Sequence, residues 1–238
     1  PATIFNIRLT CRCLATVIQR YMQVACNIDR SLMAFFDDVH GFRRLQYETG
    51  MLISGSFALQ FMGRLKYDGT DLDLYLPMHG RMNVAIWLSA HGYNFCPTVH
   101  QPQDFLTALN TEDLMGDDDV DYPSTGIYTI LTFKRNDSKD ILTRKVQIIV
   151  AWRTPMEVIL GFHSTCVMNF ITHTTAYSLY PRATFEDTKS LVLLDTPLQS
   201  HALQKYQERG WTLVRQLHFP DFDLDLSFRS LVDNRTWI

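Results

Sequence analysis

A chain of 238 residues, 46% of them hydrophobic and 20% charged, has the apolar material for a sizeable core and is not composed like a disordered tail. Its 22 basic and 25 acidic residues leave a formal charge of −3, which argues against broad, sequence-independent coating of nucleic acid. No apolar run reaches the ~20 residues of a membrane span, and five cysteines (Cys11, Cys13, Cys26, Cys96, Cys166) without a C-x-x-C pair fit neither a zinc site nor a secreted disulfide framework. The expectation is a cytoplasmic or nuclear protein with reduced thiols and no membrane partner, although the start at Pro1 leaves an upstream targeting segment open.

From Cys13 to Val39 apolar residues recur at three- and four-residue steps, which predicts two or three helices, with Asn27 or Asp29 capping the second and Gly41 ending it. Arg43 and Arg44 follow, either on the phosphate side or in solvent. Then comes MLISGSFALQFMGRLKYDGTDLDLYL, residues 51–76. An apolar entry runs into Ser54-Gly55-Ser56, a short buried helix carries Phe57, Leu59, Phe61 and Met62, and Asp68-Gly69 turns the chain into a strand. On that strand Leu72, Leu74 and Leu76 take one face, while Asp71, Asp73 and Tyr75 take the other. Two carboxylates on one face suit a hard divalent ion, and a glycine-serine turn at a helix start suits phosphate. Arg64 and Lys66 emerge beside it and point either to a triphosphate or to water.

Met82 to His91 reads as a helix stopped by Gly92, and residues 93–99 as a short strand. Residues 101–126 read as a short helix and an acidic surface loop; its aspartates do not make an EF-hand, since Tyr122 and Tyr128 stand where glycine and glutamate are needed. Residues 126–134 and 144–152 alternate as an antiparallel hairpin. A helix follows from Pro155 to Phe162, then His163; residues 164–180 read as a buried helix ending before Pro181, in which Asn169 and Thr165 either touch a ribose or base or satisfy backbone. Residues 198–217 read as a C-terminal helix ending near Gly210, with Lys205 and Arg209 on its polar side. Asp221 to Leu226 repeats the acid-apolar alternation without a glycine turn before it and reads as a solvated arm.

Gly55-Ser56, a fourteen-residue spacer and Asp71-Leu72-Asp73-Leu74 together resemble the hG[GS]…Dh[DE]h signature of the DNA polymerase β-like nucleotidyltransferase fold, with a spacer slightly longer than that family shows. The likeness extends to fungal proteins of that fold through Phe162 to Asn169. It implies an α/β chain of α+β type: a mixed or antiparallel sheet with flanking helices, a helical region over 1–50, a core over 51–180 and a C-terminal helical region and tail over 181–238. It also implies Mg2+ or Mn2+ on Asp71 and Asp73, an NTP gripped by Gly55 and Ser56 with Arg64 and Lys66 as further contacts, an unidentified hydroxyl acceptor (RNA, protein or small molecule), and a C-terminal helix closing over the nucleotide. The chain departs from the family at the third carboxylate, where Gln147 stands. His163 is the foremost candidate for the proton-accepting role left open, ahead of Asp195 and Glu186. The expected activity is therefore nucleotide transfer, and the alternative is an inactive module of the same fold that binds nucleotide or a protein. Two other readings compete: a D-x-D alone is commonly a solvated face, and glycosyltransferases use one for sugar nucleotides, although they place several βα units before it.

Overall fold

The computed structural model describes residues 7–67, 69–111, 126–136, 143–217, Leu224, Leu231, Asp233 and 235–238. The acidic segment 112–125, residues 137–142 of the polar stretch expected to turn between two strands, and all of the Asp221–Leu226 repeat except Leu224 lie outside them.

Among the described residues Ile7 and Arg8 are helical, and α1 (Arg12–Ala25), α2 (Ile28–Leu32) and α3 (Val39–Thr49) follow. Asn27 caps α2 by accepting from the Arg30 amide, as its side chain predicts, but Gly41 does not end that helix. It lies in the first turn of α3, where a Cβ would strike the Asp38 carboxylate that caps the helix, and Gly50 in the left-handed conformation terminates α3 instead. Next come β1 (Leu52–Ser54), α4 (Gly55–Gly63), β2 (Leu72–Pro77), α5 (Arg81–Ala90), β3 (Asn94–Phe95) and α6 (Phe105–Asn110). The long hairpin strands β4 (Ile127–Asn136) and β5 (Thr143–Ala151) lead to α7 (Pro155–Leu160).

Residues 164–180 are not a helix. A 3-10 turn at Thr165–Val167 leads into β6 (Asn169–Ile171) and β7 (Ala176–Ser178), an antiparallel pair joined where the Thr172 hydroxyl donates to the Thr175 carbonyl and accepts from the Thr175 amide. The β-branched and aromatic residues of this stretch suit a pleated surface. The chain continues through α8 (Pro181–Phe185), β8 (Lys189–Leu191), α9 (Ser200–Glu208) and β9 (Thr212–Val214), and near its end Trp237 bridges back to Ser178. The C-terminal region thus holds, besides its helices, a two-stranded parallel sheet of β8 and β9.

Among the described residues the main sheet has seven strands in the order β3-β4-β5-β2-β1-β6-β7, mixed in direction: β2 runs parallel to β5 and antiparallel to β1. Helices cover both faces, so the fold is α+β. On one face Leu72, Leu74, Val146, Ile148 and Phe133 join Leu32, Phe36 and Phe42 from the N-terminal helical region in a single core. On the other, Tyr75, Ile149 and Ile130 pack with Val158, Phe162, Tyr206 and Trp211. The central strands are therefore buried from both sides, as is usual where parallel pairing occurs. None of the described helices is long and apolar enough to cross a membrane.

Candidate active site

Strand β2 ends the argument about faces. Leu72, Leu74 and Leu76 are wholly buried in the first core, and Asp71, Asp73 and Tyr75 line a cleft of about 290 Å³ on the opposite side. Gly55 and Ser56 form its edge, because β1 runs antiparallel to β2 with Ser54 beside Asp73 and hands over directly to α4. Gly55 has φ +67°, and a Cβ there would lie 2.1 Å from Asp73 Oδ2. Only glycine both adopts that backbone and lets the carboxylate lie against it. Ser54 fixes the turn from below, its Oγ donating to the Asn169 carbonyl at 2.6 Å.

The neighbouring strand β5 supplies two more side chains. Parallel register places Gln147 beside Asp73, so the amide stands where the family resemblance calls for a carboxylate. Two residues earlier on the same face, Lys145 Nζ is 3.0 Å from Asp71 Oδ2. Asp73 and Gln147 are only 8% and 7% exposed, so their exchange with water is limited.

The opposite wall comes from α9 and its cap. His201, Lys205 and Arg209 recur every four residues and all line the cleft, with Tyr206 among them. Trp211 anchors this helix by donating its indole N–H to the Thr184 carbonyl at 2.9 Å. Arg209 donates to Ser56 Oγ at 3.3 Å and stacks 4.1 Å above the Tyr67 ring, while the Tyr206 hydroxyl is 3.2 Å from the same Ser56 oxygen. Burial raises the Tyr67 pKa, partly offset by Arg209.

His163 lines the cleft beside Phe162, and its ring centre is 5.8 Å from that of Tyr206. It is 2% exposed, and Nδ1 has no hydrogen-bond partner among the described residues. Burial, with the Lys205 charge adding to it, brings its pKa down from 6.5 to about 4, so the imidazole is neutral at pH 7.

The remaining sequence candidates go elsewhere. Arg64 closes α4 in the left-handed conformation and lies 5.0 Å over the Tyr21 ring, beside a separate cavity that Tyr21 and Phe61 also line. Lys66 is exposed and does not line the cleft. Arg43 binds Gln46 and the carbonyls of Thr172 and His173, and Arg44 pairs with Glu48. Asn169 donates to the Cys166 carbonyl and Thr165 Oγ accepts from the Leu191 amide, so both serve the backbone. Asp195 pairs with Arg215 and Glu186 is exposed, and neither lines the cleft.

The grouping that sequence reasoning missed is Lys145, His201, Tyr206 and Tyr67. Lys145 had a signal, since a period of two from Gln147 puts it on the cleft face; so did His201, four residues before Lys205.

Among the described residues no cluster of three or more His, Cys, Asp and Glu is gathered. Two carboxylates with an adjacent carboxamide are hard oxygen donors that fit one Mg2+ or Mn2+ completed by phosphate and water, and they suit zinc held wholly by protein poorly. No protein-family model matches this chain, and no curated protein matches it.

Proposed function

We propose that this cleft binds a nucleoside triphosphate and transfers its nucleotide to a hydroxyl acceptor, with Asp71 and Asp73 holding a divalent ion. One observation carries the reading: the glycine-serine turn and both aspartates share a cleft with Lys205 and Arg209 facing them from α9. Carboxylates and cations lining one cleft, with Lys145 beside Asp71 and Lys205 and Arg209 across from them, suit a polyphosphate with a bound metal.

In this reading Gly55 and Ser56 bring backbone to the phosphates, and Lys205 and Arg209 neutralise the charge that leaves with pyrophosphate. The ion, when bound, neutralises charge developing on the phosphoryl oxygens. The acceptor oxygen bonds to the α-phosphorus as the bond to the pyrophosphate oxygen breaks, and the hydroxyl proton passes to the His163 imidazole. Burial is the larger cause of the low His163 pKa and the Lys205 charge the smaller, and an anionic triphosphate offsets the second. Positioning and charge neutralisation supply most of the catalysis.

The test is pyrophosphate release from each NTP with Mg2+ and mixed hydroxyl acceptors, together with calorimetric NTP binding. Asp73→Asn is expected to lower release about a thousandfold, the scale on which preorganised charge acts, with an unchanged melting profile. Undiminished release in that variant would falsify the assignment. Gln147 beside Asp73 favours a second reading, an inactive module that binds nucleotide or a protein. Metal-dependent NTP binding without pyrophosphate release identifies it.

A further inference from the structure

Four side chains make a square on one face of the sheet: Asp73 from β2, Asp71 from the residue just before it, and Lys145 and Gln147 from β5. Register sets Asp73 beside Gln147, and an ion pair of 3.0 Å joins Asp71 to Lys145. All four line the cleft. Relative to a three-carboxylate site, this square has lost one negative charge at Gln147 and gained one positive charge at Lys145. Two carboxylates and one ammonium sum to a single formal negative charge.

That sum decides how many divalent ions fit. Two-metal sites hold ions about 3.5–4 Å apart and need several carboxylates to offset their mutual repulsion. Here an ammonium already lies against one Asp71 oxygen, and a second dication at that oxygen would meet it at close range. Lys145 lines the cleft as well as pairing with Asp71, so its ammonium lies where an anion in the cleft would sit.

We propose, on the reading that the cleft binds a nucleoside triphosphate, that Lys145 is a resident cation standing in for a second divalent ion. Its ammonium bridges Asp71 and a non-bridging phosphate oxygen, and the site takes one divalent ion per nucleotide. Lys145 is then a substrate-binding residue rather than a strut for Asp71.

The experiment counts Mn2+ by electron paramagnetic resonance in the complex with an α,β-methylene NTP. One Mn2+ per chain at saturation is expected, and Lys145→Ala/Gln147→Glu is expected to take up a second. Two Mn2+ in the unaltered protein overturn the inference while leaving nucleotide binding intact. A second measurement needs no metal: in EDTA, Lys145→Ala is expected to weaken NTP binding about tenfold, the scale of a charge-assisted contact, and Lys145→Arg to retain it. Equal affinity of the Ala variant and the unaltered protein in EDTA also overturns it. No NTP binding under any condition removes the nucleotide reading itself, and this inference with it.

Discussion

The two walls of the cleft are built by different physics. The β2 and β5 wall is set by backbone pairing, with side chains presented at fixed intervals from strands buried on both faces. The α9 wall is set by packing: Tyr206 and Trp211 dock the helix, and His201, Lys205 and Arg209 follow as consequences of its rotation. A rigid array thus faces a docked helix, and chemistry that demands fixed geometry belongs on the first wall, charge compensation on the second.

His163 lies where the walls meet and gives the largest expected effect after the aspartates. Its folded pKa, about 4, is below its ordinary 6.5, so the unfolded chain binds the proton first as pH falls. Stability is expected to be full above pH 6.5 and to fall between pH 6.5 and 4 by about 3 kcal/mol, at 1.36 kcal/mol per unit. Urea unfolding at pH 7 and 4.5 checks this, and His163→Phe should flatten the difference.

Arg209→Ala tests the helical wall. It removes the contact to Ser56 and the stack on Tyr67, and NTP affinity by calorimetry is expected to drop about tenfold, or ~1.4 kcal/mol. If affinity is unchanged, the second wall takes no part in binding. The smallest effect belongs to Arg64→Ala: its side chain turns to Tyr21, away from the cleft, and NTP affinity is expected to change by less than about 0.5 kcal/mol.

The first wall was legible in the sequence because its order of residues dictates its own geometry. Ser54-Gly55-Ser56 followed by an acid-apolar alternation fixes which groups share a face before any tertiary contact is known. The second wall was legible only as a helix that the family resemblance would close over the site, since a lysine on a polar helix face reads alike whether it meets water or a cleft. Only docking through Trp211 distinguishes the two for Lys205 and Arg209. Arg64 shows the reverse: adjacency in sequence suggested a ligand contact, and a left-handed helix end turned the side chain to α1 instead. Residues 164–180 depart from the expected buried helix because their β-branched and aromatic residues favour a pleated surface as strongly as a buried helix, and composition alone does not separate the two.

The parallel pairing of β2 with β5 runs unbroken from Leu72–Val146 to Pro77–Ala151. A slip of one residue would drive Lys145 and Gln147 into the hydrocarbon interior and lift Val146 and Ile148 into water, which the fold strongly forbids. The leucines and valines behind the sheet therefore act as the jig in which the polar residues in front are exchanged. One scaffold can trade carboxylate for amide, or gain an amine, without losing alignment, so a change of chemistry needs only point substitutions and no rebuilding of the protein.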